Sequence, residues 1–177
     1  MMLKRQSGVA LFISLVLLLV LTIIGVSSVQ TTSLEVRMTR NEHDSVLAFQ
    51  AAESALRDAE SRIESLVSIA GFTPGGNGGL YTVAEMGDEE NWRESGVWEG
   101  GNSIVAETEV AGVAVQPRYI IEHAASVLRE ENAYQLEDPY ATATGDRIEV
   151  FRVTARASGG TAASQVILQS SYGRILN

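Results

Sequence analysis

Cysteine is absent from the 177 residues, so neither a disulfide framework nor a thiolate metal site can be built, and the redox compartment is left open. Lysine is nearly absent: Lys4 is the single one, and every other cation is an arginine. Cations as a class are scarce, 13 against 22 acids. Two of them, Lys4 and Arg5, precede a long apolar run, so the remaining 11 face all 22 acids. That excess of negative charge argues against nucleic acid as the main partner. The two histidines give little to build catalysis on: His43 lies in "NEHDS" on a helical stretch, and His123 is expected to end a strand. Serine, histidine and aspartate are all present. There is, however, no G-x-S-x-G elbow, no H-E-x-x-H helix and no P-loop, and the glycines from Gly75 to Gly79 lack the G-K-[ST] ending of a phosphate cradle. No enzymatic activity, metal or cofactor is expected.

What is present begins with "KRQSG" and the run from Val9 to Val29, broken only by Ser14, Thr22, Gly25, Ser27 and Ser28. About 20 residues at a rise of ~1.5 Å cross a hydrocarbon layer of roughly 30 Å, so the run is long enough to span a membrane. It is too long for an ordinary secretory h-region, and "GVSSVQTTS" only loosely resembles a signal-peptidase site. Lys4 and Arg5 before the run, with Glu35 after it, orient the N-terminus to the cytoplasm and the rest of the chain outside.

Helical periodicity outlasts the hydrophobicity. Phe49, Ala52, Leu56, Ala59, Ile63, Leu66 and Ala70 recur in steps of three and four. Glu53 with Arg57, and Asp58 with Arg62, stand four apart with the acid first, the favoured order for a helical pair. No proline occurs between Met1 and Phe72, so a nearly continuous helix from about Val9 to Ala70 is expected, roughly 90 Å long. Gly25 and the polar step from Gln30 to Ser33 are its weakest points. The alanine-rich stripe suits packing on a sheet of its own domain; a coiled-coil dimer is the alternative.

"GFTPGGNGG" forbids continuation of the helix. The acidic middle that follows, "MGDEENWRESGVWEGG", carries Asp88, Glu89, Glu90 and Glu94 without the alternating oxygens of a calcium loop, which favours a solvated loop. Trp92 and Trp98 either pack that loop down or mark a contact surface. "SIVAETEV" and "PRYIIEH" alternate as half-buried strands, the second with Tyr119 and Ile121 opposing Arg118 and Glu122. "DRIEVFRVTARA" and "SQVILQSSYG" flank the glycine turn "SGGTAA" as a hairpin, with Phe151, Val153 and Ala155 inward beside Val166, Leu168 and Tyr172. A small antiparallel sheet covering the amphipathic half of the helix buries both apolar faces, an α+β solution. The acidic loop from Leu80 to Asn102 and the segment "REENAYQLEDPYATATGD" are expected to be the partner surfaces.

"KRQSG" followed directly by "VALFISLVLLLVLTIIG" resembles a type IV prepilin leader. "TTSLEVRMTRNEHDSVLAFQAAESALRDAE" is similar to the N-terminal region of PilX-type minor pilins, and "FRVTARASGGTAASQVILQSSYG" resembles their closing hairpin. The resemblance covers about the first 60 and last 30 residues and leaves the middle unmatched. It implies a type IV pilin-like fold, a long N-terminal helix packed on a small antiparallel β-sheet. It divides the chain into a leader at 1–8, a transmembrane half-helix at 9–29, an amphipathic half at 30–70 and a globular head at 71–177. It further implies cleavage by a prepilin peptidase after Gly8, methylation of the new amine on Val9, and Lys4 and Arg5 as leader charges.

The sequence departs from the general pilin pattern in two places. Major pilins start the mature chain with Phe and carry Glu at the fifth mature position; here those positions are Val9 and Ile13. In a filament core that acid is tolerable where it meets a neighbour's terminal amine. The tip pseudopilin of type II secretion lacks it too, so the resemblance implies a subunit at or near the tip that primes assembly and helps present a large tip adhesin. Implied partners are other minor pilins, the major pilin, the prepilin peptidase and the inner-membrane assembly machinery. The implied location is the inner membrane, with a periplasmic head, before assembly and the filament afterwards. A pseudopilin of a secretion system, or a single-pass periplasmic scaffold, are the alternatives.

Overall fold

In the computed structural model, residues 7–94, 96–128 and 147–176 are described. The chain divides into two units, residues 1–43 and 44–177. One helix, α1 (Ser7–Glu64), runs from the first into the second. With no proline to remove a donor, neither Gly25 nor the polar step after Val29 breaks it. Among the described residues the first unit is this helix alone, and its apolar side chains are exposed all round.

The second unit contains the rest of α1 and a five-stranded sheet. The strands are β1 (Leu80–Thr82), β2 (Ile104–Val105), β3 (Arg118–Leu128), β4 (Arg147–Ser158) and β5 (Gln165–Ile175). Their order is β1-β3-β4-β5, with β2 also on β3. β3, β4 and β5 pair antiparallel as expected, whereas β1 joins β3 in parallel, so the sheet is mixed. The hairpin register sets Phe151 against Tyr172 and Ala155 against Leu168, which puts the expected inward residues on one face.

That face packs on α1. The buried helix residues are Ala48, Ala51, Ala52, Ala55, Ala59 and Ile63, all fully covered, and Tyr119, Ile121, Phe151, Val153 and Ala155 lie against them. The buried stripe is rotated from the expected one: Phe49 is 46% exposed, and Ala70 is exposed beyond the helix end. Alanines, not the larger apolar residues, mark the contact, because a helix that presents only methyl groups lets the bulky sheet residues come close.

Three further expectations are corrected. The helix ends at Glu64, not Ala70. Its last turn tightens, with Ser65 and Leu66 N–H groups donating to the Arg62 and Ile63 carbonyls at 3.1 and 3.0 Å, and the Arg174 guanidinium on β5 donates to the Ile63 and Leu66 carbonyls. "SIVAETEV" yields only the two residues of β2. Beyond it the Thr108 N–H and hydroxyl both donate to the Asp58 carboxylate at 2.8 Å, which pulls the chain onto the helix. Asp58 therefore serves Thr108, whereas Glu53 does pair with Arg57, at 3.8 Å. Finally, His123 does not end β3, which continues past an irregularity at His123/Ala125 to Leu128.

Candidate functional site

In the first unit, Gly8 lies within α1, and Val9 and Ile13 are 57% and 51% exposed. Four residues apart, Val9 and Ile13 share one helix face. Lys4 and Arg5 lie outside the described residues. Two hydroxyls of the apolar stretch bond back within the helix. Ser14 and Thr22 hydroxyls donate to the carbonyls of Leu11 and Leu19 at 2.8 and 2.7 Å, and Thr31 and Thr32 to those of Ser27 and Ser28. Between Val9 and Gly25, the Ser14 and Thr22 hydroxyls are thus matched within the helix, which lowers what hydrocarbon or another apolar helix would have to desolvate. The first acid after Val9 is Glu35. The helix is long and apolar enough to cross a membrane.

In the second unit, the sheet face away from α1 is covered over β1 and β3. Tyr81, Val97 and Ile120 form a small core there, with Trp92 and Trp98 packed on it. A single 3-10 turn at Asn91–Arg93 carries the loop over β3. Trp92 Nε1 donates to Glu90 Oε2 at 2.8 Å, and Trp98 Nε1 to the Trp92 carbonyl at 2.9 Å. Both tryptophans thus pack the loop down with their polar edges satisfied. Glu90 also lies 3.5 Å from Arg93 and 4.0 Å from Arg152. At least this member of the acidic stretch is tied into the body, not merely solvated.

The loop buries two groups that alternation alone would have left outside. Glu122 is 1% exposed; Asn91 Nδ2 donates to its Oε1 at 2.7 Å and to the Thr82 carbonyl at 2.8 Å, while Oε2 has no partner. Burial raises the Glu122 carboxyl above the ordinary carboxylate range; Asn91 and Arg152 lower it and Glu90 adds to the rise. On the helix side, burial is the largest of the effects that push the Tyr119 hydroxyl up to about 12, which leaves it a packing group and not a titrating one. At the other end of β3, the Ser126 hydroxyl donates to Glu149 Oε2, and His123 Nε2 lies 2.7 Å from the same oxygen. Burial pushes Glu149 up, but Ser126, His123 and Arg147 outweigh it and hold the carboxyl below its ordinary value. The imidazole is also ringed by Phe72 and Phe151, with centroids 6.0 and 5.7 Å away. Serine and histidine both meet the same carboxylate oxygen, which ties β3 to β4 at this end of the sheet. His43 is exposed on α1.

Family comparison is consistent with this arrangement of apolar helix and covered sheet. The PilX N-terminal profile matches residues 7–57, and the profile for the type IV pilus assembly protein PilX C-terminal region matches residues 45–174. The chain belongs to the PilX family. No curated protein and no solved structure matches it. The two PilX matches run through the middle that sequence resemblance left uncovered, so the loop layer over β3 is part of the family's own extent. Membership makes this a component of type IV pilus assembly that works with other pilus components, a structural role and not that of a known enzyme family. The N-terminal helix is the part fitted to membrane anchoring.

The structure brings Gly8, Val9 and Ile13 together on one helix. It also exposes residues that sequence reasoning missed: Asn91, Ser103, Ser126 and Glu149, together with the burial of Glu122. The two tryptophans were the available signal, since they announce a second apolar layer over the sheet. Which β3 residues would lie under it could not be read from spacing.

Proposed function

We propose that this PilX-family protein is a minor pilin, cut after Gly8 and methylated on Val9, that enters the pilus at or near its tip and helps present an adhesin there. The carrying observation is Ile13, an apolar residue where a pilin core would hold a carboxylate, with no acid before Glu35. A carboxylate in a dry bundle of helices costs several kcal/mol unless it meets a cation. In a shaft subunit the terminal amine of a neighbour supplies that cation, so the acid favours adding each new subunit beneath an existing one. A subunit with Ile13 gains nothing from an amine above it and loses nothing when none is there. The first position is the one place in a filament where that condition holds.

The helix then serves in succession. Before assembly, Val9 to Val29 holds the protein in the inner membrane, head outward, the orientation supported by Lys4 and Arg5 on the near side. During assembly the same exposed side chains exchange lipid for neighbouring helices. The self-satisfied hydroxyls of Ser14 and Thr22 make either environment acceptable. Processing is tested by mass spectrometry of the N-terminus from cells with pili: an N-methylated Val9 is expected, and an intact Met1 would remove the pilin assignment at its root. Partner binding through the head is tested by substitutions in the 80–102 loop, which should abolish complexes with other minor pilins while leaving processing intact.

A further inference from the structure

On the outer face of the sheet, Arg118 of β3 and Arg156 of β4 stand directly opposite each other in the register. Like charges in that position destabilise a sheet unless something compensates. Four other arginines of the same unit, Arg57, Arg93, Arg152 and Arg174, each have a carboxylate within 4.0 Å. Arg118 and Arg156 have none among the described residues, and their partners are neutral. Arg118 donates from Nε to Ser103 Oγ at 2.8 Å and from Nη2 to the carbonyls of Gly100 and Ser103. Arg156 donates from Nη2 to Gln165 Oε1 at 2.9 Å and lies 5.8 Å from the centre of the Trp98 ring. Both side chains are half-buried, which holds two cations side by side in a protein of net charge −9. They line a groove of about 220 Å³ with Trp98, Glu99, Val115, Ala157 and Gln165, so the two guanidinia outnumber the one carboxylate in the lining.

We infer that this groove is a docking site for an acidic segment of another pilus component, whose carboxylate seats between Arg118 and Arg156. Charge complementarity selects the anion: two guanidinia line one groove, each held by neutral partners and each keeping N–H donors unused, which suits a carboxylate. The rest of the lining selects a polypeptide over a small ion. Trp98 and the 57% exposed Val115 supply apolar surface that a peptide backbone covers. The volume is below the roughly 300–1,000 Å³ of small-ligand pockets. Tryptophan and arginine together are also the residues enriched where protein interfaces bind most strongly. The site belongs to the head alone, so its failure and that of the tip assignment are separable.

The test is a titration of the full-length protein in detergent micelles, followed through the Nε–Hε resonances of Arg118 and Arg156. Three probes are compared: the capped pentapeptide acetyl-Gly-Glu-Gly-Glu-Gly-amide, its glutamine counterpart, and inorganic phosphate. The acidic peptide is expected to shift both resonances saturably, and the glutamine peptide to shift neither. Arg156→Gln should weaken the acidic peptide at least about tenfold, the scale of one charge-assisted bond, and Arg156→Lys should fall between the two. Equal binding of both peptides, saturation by phosphate without the acidic peptide, no shift at all, or an affinity unchanged in both Arg156 variants would overturn the assignment.

Discussion

At the residue scale, the most unusual group is the Glu122 carboxylate, buried with one oxygen unpartnered. Its pKa is raised, so its ionised form opposes folding. The contribution of Glu122 to stability is full below the ordinary carboxylate value near 4.3 and is lost as pH rises through its raised pKa. Glu122→Gln keeps the acceptor for Asn91 and removes the buried charge. It is expected to stabilise the protein by about 1 kcal/mol at pH 7, with the gain vanishing toward pH 4. Thermal melts at the two pH values check this, and a lower Tm for the variant at pH 7 would mean that Arg152 across the register compensates the charge in full. Glu149 works in the opposite sense. Its lowered pKa contributes stability above the ordinary value that is lost as pH falls through the folded one.

At the scale of elements, the helix and hairpin are joined by two devices. Arg174 caps the C-terminal end of α1, where carbonyls lack partners and the helix dipole is negative, and pairs with Glu64 at 3.6 Å. Arg174→Met should cost about 1–2 kcal/mol and speed hydrogen exchange in the last turn of the helix while leaving the β4–β5 amides protected. At the other end of the hairpin, the Thr161 N–H and hydroxyl donate to the Asp44 carboxylate, and Gly159 lies so close that a Cβ would sit 2.3 Å from the Asp44 carbonyl oxygen. Gly159→Ala is expected to destabilise by about 2 kcal/mol or more, read as a drop in Tm, whereas Gly101→Ala, whose Cβ meets nothing, should cost far less.

These contacts mark how far the sequence could be read. The hairpin was legible, because Phe151, Val153 and Ala155 alternate against Val166, Leu168 and Tyr172 around an obvious turn. So was the helix, from its lack of proline and its three-and-four spacing. The end of the helix was not, since it depends on an arginine more than a hundred residues away. Nor was the shortness of β2: "SIVAETEV" alternates well, and only the Asp58 carboxylate opposite Thr108 turns it off course. The arginine groove was hidden because register, not spacing, brings Arg118 to Arg156. Of the two expected partner surfaces, the 80–102 loop is packed onto β3 through Trp92 and Trp98, and the segment 129–146 lies outside the described residues.

At the scale of the whole molecule, an apolar helix with no acid before Glu35 is combined with a head whose own core is complete. The head therefore folds around its own part of α1, while the exposed apolar half remains for lipid or for other helices. On the proposed function, the missing carboxylate decides position. Ile13→Glu should give the subunit the interaction that shaft subunits use, and so spread it along the filament.

The most direct measurement is gold labelling of the head on native pili by electron microscopy, for the wild-type protein and for Ile13→Glu side by side. Wild type confined to one end of the filament, with the variant dispersed along it, is the predicted result. Wild type distributed along the shaft as densely as Ile13→Glu would contradict tip placement by the absent acid.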